Sequence, residues 1–299
     1  MKKQINTLFK IFIRHPLEAL VTVLAYLTFR CLPMSQASAL GGWLVRKVGP
    51  FSSAQRTAEK NLKWVFPNKS TQEVKSIIEK VWDNFGRVMG EYPNLVPINV
   101  YEDSRFEIIG QEYIDQLRDD GMPGIIFAAH LASWEVAIMA ASQRGLKVTQ
   151  LYRATNNPYV DKIVRMVQRQ IGQEVLTKGP GDARKVLASL RRGDHLFILV
   201  DQKMNRGTSV PFFGRPAMTA PAAARMALRF QCPLVPARVE RLGGVRFRIT
   251  YYPPMHLPSS KDDPEAVYTL LCQMNEMLEG WIKERPDQWL WLHNRWPKD

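Results

Sequence analysis

From Gly124 onward, short apolar runs alternate with longer segments of helical period. The runs are "GIIFAA" (124–129), "KVTQLYR" (147–153) and "HLFILV" (195–200), followed by "PLVPARVER" and "VRFRITYYPP". Gly243-Gly244 joins the last two, which signals a hairpin. "EVAIMAASQRG", "NPYVDKIVRMVQRQIG" and "DARKVLASLRRG" read as helices ended by Gly145, Gly172 and Gly193. "TAPAAARMALRF" reads as a helix with Thr219 as its cap, and "PEAVYTLLCQMNEMLEGWIKERP" as the closing helix. "HLFILV" is apolar nearly throughout, as a strand buried on both faces requires. Strands alternating with helices specify an α/β fold, with a central mainly parallel sheet flanked by helices. Upstream, "STQEVKSIIEKVWDNFGRVMGEYP" reads as one amphipathic helix capped at Ser70 or Thr71 and ended by Pro93.

The N-terminus differs from this body. A basic start precedes an apolar run from Leu17 to Phe29, broken only by Glu18 and set off by Pro16 and Pro33. The run is shorter than the roughly 20 residues of a spanning helix, and no small-residue cleavage site follows it. It fits a core helix or a membrane anchor with Lys2, Lys3, Lys10, Arg14 and Arg30 at headgroups. We take the anchor, and divide the chain into a helical membrane-anchoring appendage (1–50) and a catalytic domain (51–299). The formal net charge of +13 favours anionic partners such as phospholipid headgroups, phosphorylated ligands or nucleic acid. Cys31, Cys232 and Cys272 are odd in number and far apart, which points to a reduced, metal-free chain.

In open α/β sheets ligands collect at the carboxyl ends of the strands. Just past three successive strands stand His130, then Arg153 with Asn156 and Asn157, then Asp201, Gln202 and Lys203. Glu135 follows His130 by five residues, about 140° away on a straight helix. If a bend separates strand and helix, the Glu135 carboxylate can return to the imidazole, fix its tautomer and leave the other nitrogen as a base. The alternative is a core histidine beside a first-turn carboxylate favoured by the helix dipole. Asp201 and Gln202 read as braces of the site. There is no G-x-S-x-G elbow, Walker loop or H-E-x-x-H motif. "GPGDAR" at Gly179 lacks a third glycine and an evident preceding strand, so we discount it as a dinucleotide site.

The H-x-x-x-x-E motif after an apolar strand resembles the glycerolipid acyltransferase superfamily. Its Glu form is similar to the lipid A late acyltransferases, the bacterial lauroyl- and myristoyltransferases. Further blocks match in order from about Arg56 to Pro297: "RTAEKNLKWVFPNKS", "YRATNNP", "GDHLFILVDQK…GTSVPFFGRPAMT" and "ERPDQWLWLHNRWP". Ala154 stands where that family often has proline.

The resemblance implies transfer of an acyl chain from an acyl carrier protein thioester to a hydroxyl of a Kdo-bearing lipid A precursor. It implies a site at the cytoplasmic face of the bacterial inner membrane, with no cofactor, no metal and no nucleic-acid partner. On that reading His130 is the general base and Glu135 its orienting partner. Arg153 and Asn157 bind substrate, with Arg153 on an anionic group or the oxyanion. Phe212, Phe213 and Arg215 of "PFFGR" offer an apolar lip with one charge, or pack as a surface loop. Trp289, Trp291 and Trp296 suit either a membrane interface or the core. The basic segment with Lys178, Arg184, Lys185, Arg191 and Arg192 faces the carrier or the membrane, or is simply solvated. Two rival readings are another lipid acceptor (phospholipid, ornithine lipid or mannoside) and a non-enzymatic basic protein that binds membrane or nucleic acid.

Overall fold

The computed structural model describes residues 10–152, 154–171, 174–177, 180–258 and 264–296. Its strands are β1 (Phe106–Ile109), β2 (Ile125–Ala128), β3 (Val148–Tyr152), β4 (Glu174–Thr177), β5 (His195–Leu199), β6 (Thr208–Phe212), β7 (Arg215–Thr219), β8 (Leu234–Gly243) and β9 (Arg246–Tyr251). Its helices are α1 (His15–Arg30), α2 (Met34–Val48), α3 (Ser53–Val65), α4 (Thr71–Glu91), α5 (Gln111–Asp119), α6 (Glu135–Gln143), α7 (Pro158–Gln170), α8 (Pro180–Arg191), α9 (Ala222–Phe230) and α10 (Pro264–Glu284).

The main sheet runs β1-β9-β8-β2-β5-β3-β4. Neighbours are parallel except β8 and β9, the antiparallel hairpin expected at Gly243-Gly244. Successive strand residues point to opposite faces. Ile125, Phe127, Leu196 and Ile198 therefore join one core, and Ile126, Ala128 and Phe197 the other. The first core is closed by α3, α4, α8, α9 and α10, the second mainly by α5 and α6. Every residue of α6 from Glu135 to Ala141 is buried, as expected of a helix apolar on nearly all sides.

Two readings of the chain need correction. Strand β4 ends at Thr177, two residues before Gly179 opens the "GPGDAR" segment, so a strand does precede it. Its mixed polarity conceals it among the apolar runs. Thr219 does not cap α9; it ends β7, and Pro221 occupies the cap position. Strand β1, helices α2, α3 and α5 and the β6–β7 hairpin are elements that the apolar runs do not signal. The Gly172 helix end lies outside the described residues.

The amino-terminal helices join the sheet through close contact and buried charge. Helix α4 begins with a capping box, Ser70 Oγ accepting from the Glu73 amide at 3.2 Å while Glu73 accepts from the Ser70 amide at 2.8 Å. Helix α2 crosses α4 so closely that a Cβ on Gly86 would stand 2.2 Å from the Gly41 carbonyl oxygen. At the end of α4 the fully buried Glu91 pairs with Arg241 of β8 and accepts from Ser38 Oγ at 2.7 Å. Arg241 also donates to Asn84 Oδ1 at 3.0 Å. Gln288 brackets the Arg241 backbone, accepting its amide and donating to its carbonyl, both at 2.9 Å.

A buried ion pair broken on one side leaves an uncompensated charge. Arg241→Met is expected to destabilise the fold by about 3–5 kcal/mol in denaturant unfolding, whereas Arg241→Met with Glu91→Leu loses less. Equal losses would show that the charge on Glu91 is not what Arg241 neutralises.

Candidate active site

Strand register sets the site. Strands β2 and β5 are parallel with Ala128 opposite Leu199, so two residues beyond each strand His130 and Asp201 emerge side by side. The chain then bends: Ala132 takes the left-handed φ of 48°, and α6 starts at Glu135. The bend expected between strand and helix is present. It does not bring Glu135 to the ring's Nδ1.

Asp201 holds that position. Its Oδ1 lies 2.7 Å from His130 Nδ1, and its Oδ2 accepts from the His130 amide at 2.9 Å and from Trp289 Nε1 at 2.8 Å. Asp201 is fully buried. Burial works to raise its pKa, but the His130 ring and these donors outweigh burial and hold the carboxyl well below the usual carboxylate range. An ionised carboxylate only accepts, so Nδ1 carries a hydrogen, and the neutral form of the ring has its lone pair on Nε2. The Gln202 side-chain amide stands 3.3 Å from Nε2, and the Trp134 ring meets the imidazole edge to face with centroids 4.9 Å apart. The reading of Asp201 as a mere brace therefore understates it: Asp201 makes the ring contact that the spacing argument expected of Glu135.

The carboxy-terminal segment completes the arrangement. Leu131 bridges to Trp289, and the Ala132 amide donates to the Gln288 carbonyl at 3.0 Å. His293 lies 2.6 Å through Nδ1 from the Leu290 carbonyl oxygen and 3.3 Å through Nε2 from that of Asp201. Removal from water pushes its pKa down. Arg295 donates to Met218 O at 3.0 Å and Thr219 Oγ1 at 2.7 Å, tying down the β6–β7 hairpin. Burial pushes its pKa down to about 10, which leaves it charged at neutral pH.

His130 opens on a cavity of about 570 Å³. Apolar side chains of α1, α4 and α7 line most of it, and Glu135, Tyr152 and Gln202 line it as well. Because α7 runs back from the strand ends, the cavity reaches down to Gln150 and Gln168. Those two are buried and joined amide to amide at 3.1 Å. Glu135 is buried on the same wall, and its charge adds to burial in raising the pKa of Tyr92.

The other expected site residues go elsewhere. Asn157 caps α7 through the Tyr159 amide at 3.0 Å and is not among the described residues lining the cavity. Phe212 is fully buried and stacks on Trp296 with centroids 5.7 Å apart, while Phe213 packs against Phe212 at 4.9 Å. Phe213 and Gly214, both at positive φ, form the tight turn of the β6–β7 hairpin, so "PFFGR" is a packed corner and not a lip of the His130 cavity. Arg215 stacks over Trp64 at 4.1 Å. Trp289, Trp291 and Trp296 are core residues at 1%, 0% and 4% exposure, which removes the membrane-interface alternative. Arg153 and Lys178 lie outside the described residues. Among the described residues no group of three His, Cys, Asp or Glu is placed to hold a metal ion.

An unfolded aspartate titrates near about 3.9. With the folded Asp201 held lower, its ionisation stabilises the protein in full above about pH 5, and that contribution fades as pH falls toward the folded value. Asp201→Asn is expected to lose stability most at neutral pH, and its melting temperature should fall less steeply on acidification than the wild type's. Parallel melting curves against pH would contradict an ionised Asp201.

The family model for bacterial lipid A biosynthesis acyltransferases matches residues 7–298. The chain is 26% identical over 276 residues to a lipid A biosynthesis acyltransferase of Haemophilus influenzae, covering 90% of this chain and 83% of that protein. It is 26% identical over 246 residues to the lipid A biosynthesis myristoyltransferase of Escherichia coli (80% and 74% covered). It is 25% identical over 252 residues to the lauroyltransferase of the same organism (80% and 78% covered). With a histidine held by a buried carboxylate at the mouth of an apolar cavity, this chain belongs to the bacterial lipid A biosynthesis acyltransferase family and is an acyltransferase of lipid A biosynthesis.

Proposed function

We propose that the chain transfers an acyl group from an acyl carrier protein thioester to a hydroxyl of a Kdo-bearing lipid A precursor, with His130 as general base. The observation that carries this reading is the orientation of one ring. Nδ1 is engaged by Asp201, and His130 lines a cavity apolar enough for an acyl chain. A hydroxyl is a weak nucleophile until a base takes its proton. The acceptor oxygen displaces Gln202 from Nε2, gives its proton to His130 and attacks the thioester carbonyl carbon. Collapse breaks the carbon–sulfur bond, and the imidazolium returns the proton to the leaving thiolate. An ester and a free thiol result, with no acyl-enzyme. Asp201 stabilises the transient imidazolium, and Glu135, on the same wall, adds a second negative charge. Arg153 comes directly after β3 in the sequence and is proposed to hold an anionic group of the acceptor.

The membrane side of the proposal rests on α1. Residues 11–30 are long and apolar enough to cross a bilayer. Leu17, Leu20, Leu24 and Leu27 are 58%, 55%, 55% and 52% exposed, a stripe that bilayer hydrocarbon would cover. In the proposed division at residue 50, α1 carries the membrane contact while α2 is tied into the domain through its glycine contact to α4. Placement at the cytoplasmic face of the inner membrane follows from the proposed donor. Arg184, Lys185 and Arg191 of α8 are exposed, as a surface meeting an acidic carrier or anionic lipid would be.

The test is to mix the purified protein, acyl carrier protein thioester and Kdo-bearing precursor and to look for the mass of one added acyl chain. His130→Ala should lower turnover by about 10²–10⁴-fold, and Asp201→Asn and Glu135→Gln should each lower it, assayed below the melting temperature of the less stable Asp201→Asn. Near wild-type turnover of His130→Ala would defeat the mechanism. Acylation of other lipids alone would replace the acceptor. Gln168→Ala, which deepens the cavity floor, should shift preference toward longer donor chains; an unchanged profile would place the chain elsewhere.

A further inference from the structure

Helix α1 has two apolar faces of different fate. Leu17, Leu20, Leu24 and Leu27, spaced three or four apart, form the exposed stripe. Thr22, Ala25, Tyr26 and Phe29 recur on the other face and line the His130 cavity, with Val21, 59% exposed, at its open edge. Thr22 Oγ1 donates to the Glu18 carbonyl within the helix at 2.7 Å, so its hydroxyl needs no partner in the cavity. Across the cavity stand Val160, Ile163 and Val164 of α7.

Each end of α1 is fastened by an asparagine side chain. Asn157 Nδ2 donates to the His15 carbonyl at 2.9 Å and to Glu18 Oε2 at 3.0 Å, while its Oδ1 caps α7. Asn94 Nδ2 donates to the Phe29 carbonyl at 2.8 Å. A helix needed only for attachment requires no such fastening. Here one side chain fixes α1 relative to α7, the two helices whose separation sets the width of the cavity.

We propose that α1 is a substrate-selecting wall as well as an anchor. Ala25 and Tyr26 are specificity-determining residues for the acyl chain in the cavity, and Asn157 is a positioning residue that sets the cavity width. This rests on the reading that the His130 cavity holds an acyl chain. Anchor and catalytic domain then work as one unit: the cavity is complete only when α1 is docked, and a side chain on the anchor decides which chains fit.

The experiment uses full-length protein in membranes, a short-chain and a long-chain acyl thioester, and a fluorescent long-chain fatty acid as a binding probe. Ala25→Trp places a large ring in the cavity. It should sediment with membranes like wild type, lose long-chain transfer and probe binding by about tenfold or more, and lose short-chain transfer by a smaller factor. Tyr26→Ala removes bulk and should extend the range toward longer chains, which keeps the test alive if the tryptophan disturbs folding. Asn157→Asp keeps the cap on α7 but removes the donor to His15 and sets a like charge against Glu18. It should raise KM for the long-chain donor more than it lowers kcat. Unchanged chain-length profiles and probe binding in both α1 variants would overturn the proposal. Wild type that binds the probe but acylates no lipid A precursor would instead overturn the functional reading, since probe binding reports on the wall without turnover.

Discussion

The buried Asp201 carboxylate is the interaction on which the rest of the site depends. It accepts from the imidazole and amide of His130 and from the Trp289 indole. A carboxylate taken out of water is costly unless such donors surround it. The donors come from two distant parts of the fold: the end of β2, and the carboxy-terminal segment that crosses the sheet edge. The segment is itself fixed by Gln288, which links the His130 loop to Arg241 and so to Glu91 and Ser38. One polar path thus runs from the α2–α4 pair to the active ring. Along this segment Trp289, Trp291, Arg295 and Trp296 are buried.

Much of this was legible in the residues. The alternation of apolar runs and helical segments pointed to the parallel sheet because period and length are local properties. His130, Glu135 and Asp201 all stood out from their positions at or soon after the carboxyl ends of strands. The pairing between them did not, because it depends on which strands are neighbours. Sequence order places β3 and β4 between β2 and β5, yet β2 and β5 lie side by side, and their register puts His130 against Asp201. Glu135 is nearer along the chain but comes after a left-handed turn at Ala132, which no apolar pattern announces.

Asn157 and the "PFFGR" segment show the same limit from the other side. Asn157 looked like a ligand contact from its place just past a strand, and "PFFGR" read either as an apolar lip with one charge or as a packed surface loop. Asn157 instead joins two helices, and Phe212 fills the space between a hairpin and the closing tryptophans. Charge was informative in total but not in place. The +13 balance suited anionic partners, whereas several of the cations serve the structure: Arg241 on Glu91, Arg295 on the hairpin, Arg215 on Trp64.

The central claim is that Asp201, not Glu135, sets the tautomer of His130 and leaves Nε2 as the base. Nitrogen-15 NMR of histidine-labelled protein at neutral pH tests it directly. The account predicts that the His130 hydrogen resides on Nδ1, in a strong hydrogen bond, that it stays there in Glu135→Gln, and that Asp201→Asn abolishes this preference. A hydrogen on Nε2 in the wild type, or a tautomer that depends on Glu135 instead of Asp201, would contradict the account.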